Sequence, residues 1–295
     1  MAKSTSKQNL PAKTPDKKTP STRTTAGLPA FLEEVEMKGV GVATSPDDLL
    51  IPMARILQKG SPEVERKSAA YVAGAEAGKI IVKGAIPPII DGETGFLFQP
   101  CHRSRAVVEW LPRGAGGGGG KGFRGRYPKM PADAIEVVDP QDQSGKRKIT
   151  VSKTSGNVYV DTRYYAGFII SEDEGEPPLN VVLPFTGANH SVGRAWNTLM
   201  SHKRNSRGEQ ADIWSVYYRL TTLFRDENGF TWYNYVITDS GDVVDGIATT
   251  CWIPSMDDYH RGEALHDSIE SGIQKFAAED DGEVVEAAHP AGGRM

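Results

Sequence analysis

The chain has 295 residues, with 38 acidic side chains against 34 lysines and arginines and a formal net charge of −4. That length can bury a real core in one large domain or two modest ones, and the net charge does not advertise a polyanion partner. Two cysteines far apart, Cys101 and Cys251, supply no spaced ligand set, so a reduced, cytoplasmic compartment is expected, with one disulfide left open. No run approaches the roughly 20 apolar residues of a membrane span, nor does the N-terminus carry the apolar stretch of a secretory signal, so no membrane partner is expected.

The average charge hides an asymmetry. Residues 1–27 contain a single acid, Asp16, among many Lys, Thr, Ser and Pro, whereas Glu279 to Glu286 contains five acids. Both ends lack apolar periodicity, which predicts a disordered basic arm over 1–27 and a disordered acidic tail over 279–295. Residues 28–278 are expected to form one β-rich domain with helices.

Within it, Leu28 to Met37 reads as a short helix. In Asp47 to Gly60, Leu49, Leu50, Met53, Ile56 and Leu57 fall at helical spacing, with Pro52 near the start or at a kink. Strand patterns follow at Lys79 to Lys83, Ala85 to Ile90 and Gly95 to Leu111, the last too long for one regular strand and bent or at an edge near Pro100. Residues 114–125, with glycine at every position from Gly116 to Gly120, predict a flexible loop that leads into Arg124, Arg126 and Tyr127.

Short strands are expected at Ala134 to Val138, Lys148 to Ser152, Asn157 to Val160, Arg163 to Ser171 and Leu179 to Phe185. His190 to Lys203 repeats Val192, Ala195, Trp196, Leu199 and Met200 on one helical face. A strand at Val243 to Trp252 and a helix from Asp257 to Ala278, striped by Leu265, Ile269, Ile273 and Phe276, complete the domain. Gly262 and Gly272 lower that helix's intrinsic stability.

Ile213 to Ile237 is the strongest local pattern, two aromatic-rich runs around Asp226-Glu227-Asn228-Gly229. Asn-Gly supplies the positive φ angles of a tight hairpin turn. A two-residue loop pairs Glu227 with Phe230 and Arg225 with Trp232. One face then carries Val216, Tyr218, Leu220 and Phe224 beside Tyr233, Tyr235 and Ile237, and reads as core. The other carries Tyr217, Arg219, Thr221, Leu223 and Arg225 beside Trp232, Asn234 and Val236. Rings interleaved with cations are what a single-stranded nucleic acid needs, since bases stack on rings and phosphates seek positive charge. The same face would equally suit cover by a loop or a partner subunit.

Other chemistries fare worse. The glycine run fails the phosphate-loop pattern at Ala115 and Gly122, and the histidines form no spaced metal pair, so neither a nucleotide cofactor nor a metal is expected. Asp239, Asp242, Asp245, Asp257 and Asp258 are the acids a magnesium-dependent nuclease would use, although acids near turns are usually just solvated. Three basic groups lie near the β-rich aromatic segments: Arg103 with Arg105, Lys121 with Arg124 and Arg126, and Lys203 with Arg204 and Arg207.

Ile51-Pro52, Ile56-Leu57-Gln58, Ser61-Pro62-Glu63, Gly74-Ala75 with Gly78, Val108-Glu109-Trp110, Phe185-Thr186, Arg194-Ala195-Trp196-Asn197 with Leu199, Tyr218-Arg219-Leu220-Thr221-Thr222 and Trp232-Tyr233 together carry a resemblance. Over roughly Leu49 to Ile237 the chain resembles phage-encoded single-stranded DNA-binding proteins of replication and recombination gene clusters. The resemblance implies an α+β, mainly β fold, an OB-like partly open β-barrel with peripheral helices and disordered termini. It also implies sequence-independent strand binding in the host cytoplasm, and an acidic tail that recruits replication or recombination proteins or competes for the DNA groove. The final Ala291-Gly292-Gly293-Arg294-Met295 departs from the terminal aromatic of that pattern.

The expectation is therefore a non-catalytic DNA-binding protein, with homo-oligomerisation left open. Bases would stack on Tyr217, Trp232 and Tyr127 beside Asn234. Arg219, Arg225, Arg103, Arg105, Arg124 and Arg126, with Lys121, Lys203 and Arg204, would neutralise phosphates. The rivals are a virion structural or assembly protein and the metal-dependent nuclease.

Overall fold

The computed structural model describes residues 50–85, 88–112, 122–140, 145, 147–172, 176–227, 230–244 and 246–276. The basic arm, the Leu28 to Met37 helix, most of the glycine loop with Lys121, Asp245 and the acidic tail lie outside the described residues.

Two long antiparallel strands form the axis of the molecule, β5 (Phe96–Trp110) and β9 (Val158–Ile170). Each has a second edge, and different strands occupy its two ends. On β5, one end pairs with β11 (Val216–Glu227) through Phe96 to Phe98, and the other with β6 (Phe123–Tyr127) through Val107 to Trp110. On β9, β10 (Leu179–Phe185) takes one end and β8 (Lys148–Ser152) the other. Two outer strands, β7 (Ala134–Val138) beside β8 and β12 (Phe230–Asp239) beside β11, extend the sheet, and β15 (Cys251–Trp252) beside β11 is the last of its nine strands.

Helix α1 (Asn189–Ser201) covers one face of this sheet. Its buried Trp196 and Met200 meet Phe98, Tyr165, Phe185 and Tyr218. Helix α2 (Met256–Glu270) covers the other face, where Leu265 packs with Cys101, Tyr164, Ala166 and Phe168. Ser255 caps α2 by accepting from the Asp258 backbone, and Asp257 and Asp258 complement the positive end of its dipole. A small antiparallel sheet of β2 (Ala54–Ile56), β3 (Ile80–Val82) and β4 (Ile89–Ile90) adds to the α1-side core.

The mainly β α+β class stands. The expected barrel does not appear, because the sheets stay open and none closes on itself among the described residues. Several local expectations are corrected too. The stretch beginning at Leu50 is extended, not helical: β1 (Leu50–Ile51) and β2 bury Ile51, Ala54 and Ile56 while Arg55 points outward, and the Pro52 carbonyl accepts from Val182. Pairing with β3 overrode the helical spacing. The segment from Gly95 is one strand after all, absorbing Pro100 in a bulge between Pro100 and His102. Likewise, the two strands expected between Asn157 and Ser171 are one.

The expected strand over Val243 to Trp252 breaks into β13 (Val243–Val244), β14 (Ile247–Ala248) and β15. Helix α2 stops at Glu270, short of Ala278, because Gly272 takes a φ of 76° and turns the chain. The chain then runs as β16 (Lys275–Phe276) parallel to β1, which carries Phe276 into the core beside Leu265 instead of along a helical stripe.

The hairpin has the anticipated register, with Glu227 opposite Phe230 and Arg225 opposite Trp232. Val216, Tyr218, Leu220 and Tyr235 are buried as expected, but Phe224 is 50% exposed. The cause is length: β5 supports β11 only through Leu220, so the hairpin projects past the sheet.

Candidate nucleic-acid interface

The site is built from cross-strand register. After the bulge, Arg103 faces Tyr165 and Arg105 faces Arg163 across the β5–β9 pair. Like charges directly opposite on a sheet are destabilising unless a counter-charge intervenes. Asp161 provides it, accepting 2.7 Å hydrogen bonds from Nε and Nη2 of Arg105. His190, in the first turn of α1, places Nε2 3.0 Å from Asp161 Oδ2 without hydrogen-bond geometry.

Electrostatics describe a positive surface around one acid. Burial alone would raise the Asp161 carboxyl, but the Arg105 hydrogen bonds and the charges of Arg105, His190 and Arg163 hold it below the ordinary value. Burial, then the charges of Arg163, Arg194 and Arg105, depress His190 against the pull of Asp161. Arg163 Nη1 is buried without a hydrogen-bond partner among the described residues. Arg103 and Arg194 are exposed, and no ion pair holds either among those residues. Tyr165, pushed up to about 12 chiefly by burial, anchors α1 over this surface by donating to Gly193 O at 2.8 Å and Asn197 Oδ1 at 2.9 Å.

Tyr127 lies further along the same face, opposite Val107 on β6. Its hydroxyl donates to buried Glu109 at 2.6 Å, which pushes it up to about 12, and its ring meets Tyr159 edge-on at 6.0 Å. Asn157 and Ser155 complete the bonds to Glu109. The ring is therefore fixed, as a stacking platform must be.

Not every expected site residue joins this surface. Tyr217 is only 6% exposed and lies against Asp258 and Arg261 of α2; burial pushes it up to about 12. Arg219 is ion-paired with Glu172. Lys203 donates to Asp239 at 2.6 Å and Thr250 at 2.8 Å, and Arg204 caps α1 through Ser201 O. Arg126 stacks over Tyr164 at 4.7 Å on the opposite face of the sheet, and Arg124 is exposed on β6. Arg225, Trp232 and Asn234 sit on the projecting hairpin, where Trp232 helps line a recess of about 120 Å³ with Gln58 and Tyr233.

Arg225 lies about eleven strand positions from Arg103 along the sheet, on the order of 35 Å at the usual rise per residue. Hairpin and arginine surface are therefore separate places. Of the nuclease acids, Asp239 is held by Lys203 and Asp258 by Arg261. Among the described residues no three His, Cys, Asp or Glu side chains converge as a metal site.

Sequence reading missed Arg163, Arg194 and His190. The alternating cations on β5 were visible, but only register brings β9 and α1 to them.

These features define a class: a mainly β protein whose two-stranded axis carries an arginine-rich surface beside a fixed aromatic ring. The chain belongs to the Pam3 phage gp34-like protein family, whose model matches residues 21–275. No curated protein matches the chain, and no solved structure does. No helix among the described residues is long and apolar enough to cross a membrane.

Proposed function

We propose that this phage-family protein binds single-stranded DNA without sequence preference, as a non-catalytic partner in replication or recombination. The observation that carries the reading is the run of cations along one face: Arg105, Arg163 and His190 share the single carboxylate Asp161, with Arg194 beside His190 and Arg103 beside Tyr165. One carboxylate offsets only part of this positive charge, and a polyanion would offset the rest. Phosphates would lie along the β5–β9 ridge beside α1, while Tyr127 offers its ring to a base on the same face. The open sheet supports this arrangement as well as an OB-like barrel would, because strand binding needs only a cationic track with an adjacent ring. The test is fluorescence anisotropy of a labelled oligo-dT strand against a matched duplex across a salt series. Preferential single-strand binding that weakens with salt supports the reading, and no binding by folded protein at low salt refutes it.

A second reading, a virion structural or assembly protein, is favoured by a different observation. Apolar side chains are exposed at two hairpin tips, Phe224 at 50%, Phe230 at 57%, Val243 at 70% and Ile247 at 72%. Incorporation into particles together with no DNA affinity would select it.

A further inference from the structure

The edge of β5 opposite β9 is occupied at both ends but not in the middle. Strand β11 stops at Phe98 and β6 begins at Val107, so Gln99 to Ala106 has no strand partner on that edge among the described residues. Ile213 to Ser215, a single 3₁₀ turn, fills part of the gap, with Trp214 O accepting from Gln99 Nε2 at 2.8 Å. What remains is a notch of about 250 Å³ between the last turns of α1 and α2.

Its lining is mixed in a particular way. Ile213 and Met200 offer apolar surface, Asn197 and Gln210 carry amides, Glu270 carries a carboxylate, and Arg103 stands at the mouth. His102 also lines it. This imidazole is only 7% exposed, and its Nδ1 makes no hydrogen bond among the described residues, with Glu270 Oε1 at 3.4 Å. A buried ring nitrogen left without a partner is costly. Burial holds His102 below its ordinary value, as do the charges of His266 and Arg103 against the pull of Glu270, so near neutral pH the ring is uncharged.

We infer that this notch holds one nucleobase of the bound strand and favours a base bearing an exocyclic amine, such as cytosine, over thymine. The inference rests on the DNA-binding reading and amends it in one respect, adding a modest base preference at a single position to binding that is otherwise sequence-independent. Arg103 belongs to both places, so a phosphate held on the arginine surface delivers its own base to the notch. The space suits a flat ring with part of its sugar and not two stacked bases. Asn197 Oδ1 is already used by Tyr165, so its amide nitrogen is left to donate to a ring nitrogen or carbonyl. Glu270, with a side chain 61% exposed, can only accept while ionised. An exocyclic amine satisfies it, whereas thymine presents its O4 carbonyl at that position and has only the ring N3–H to donate. Carboxylates read the cytosine amine in the same sense in duplex recognition.

The experiment compares labelled dC20 and dT20 at one salt concentration, for the full chain and for Glu270→Gln. The unmodified protein should bind dC20 about fivefold more tightly than dT20, the low end for one such contact at a partly exposed carboxylate. In Glu270→Gln the ratio should fall to near one, since the amide can face either base. The ratio is decisive, because losing a negative charge beside Arg103 raises affinity for any strand. Glu270 ends α2 near the surface, and circular dichroism will report whether the variant stays folded. Gln210→Ala, on a different segment, should also reduce the ratio. Equal binding of the two strands by the unmodified protein, or a preference that survives in Glu270→Gln, overturns the notch assignment alone. Failure to bind either strand overturns it together with the DNA-binding reading.

Discussion

Removing Arg103 and Arg194 together should change the salt dependence of DNA binding by a calculable amount. Both are exposed and unpaired among the described residues, so Arg103→Ala with Arg194→Ala should leave the fold intact. Arg105 is engaged by Asp161, which leaves Arg103, Arg163 and Arg194 to neutralise phosphates. Each single-strand phosphate contact contributes about 0.7 to the slope of log K against log salt, so the unmodified protein should show a slope of about −2 and the double variant about −0.7. Over a tenfold rise in salt, affinity should fall about a hundredfold for the former and about fivefold for the latter. Anisotropy titrations with labelled oligo-dT at four or five salt concentrations measure both slopes. Arg225→Ala, far away on the projecting hairpin, is the control and should leave the slope unchanged. A folded double variant with an unaltered slope would refute the assignment of phosphates to this surface.

Three further outcomes concern stability. Gly262→Ala should destabilise even though alanine favours helix by about 1 kcal/mol, because a Cβ there would meet Trp214 Cβ at 2.6 Å and overpacking costs about 1–3 kcal/mol; a raised urea midpoint would contradict this. Tyr127→Phe strips one of three hydrogen bonds from buried Glu109 and should cost about 1–2 kcal/mol in urea unfolding, with no loss if water replaces the hydroxyl. His102 and His190 are both held below their ordinary value of 6.5, so the unfolded chain binds more protons than the native one as pH falls below that value. Stability should therefore be level from pH 8 to 7 and decline below about 6.5. A His102→Gln, His190→Gln double variant should flatten the decline between pH 6.5 and 5, and an equally steep decline would show that other groups cause it. Asp161 does not interfere in that window, because its carboxyl is held below 3.8 and its contribution is lost only at lower pH.

The hairpin was legible from sequence because its determinants are local. An Asn-Gly pair in the sequence predicts a tight turn and alternation predicts the faces, so the pairing of Arg225 with Trp232 followed without tertiary information. Helix α1 was legible for a similar reason, its apolar positions recurring every three or four residues through Trp196 and Met200. The region from Leu50 misled because five apolar residues fit a helical period as well as a broken strand pair, and the buried edge of β3 decided between them. Tyr217 and Trp214 read as exposed or hairpin residues until α2, some 40 positions later in the chain, was placed over them.

Sequence alone therefore determined the mainly β class, the hairpin register, α1 and the pairing of Arg103 with Arg105 on one strand face, all of which depend on neighbours within a few residues. Tertiary structure alone decided that the described sheets stay open, that Arg225 and Trp232 lie far from Arg103, that Arg163 and His190 join Arg105 at Asp161, and that Arg194 lies beside His190. It also decided that the edge of β5 away from β9 has no strand partner among the described residues between Gln99 and Ala106. The physical reason is that charge convergence and strand gaps are properties of register between distant segments. A one-residue bulge at Pro100 was enough to choose which face Arg103 and Arg105 share with Arg163.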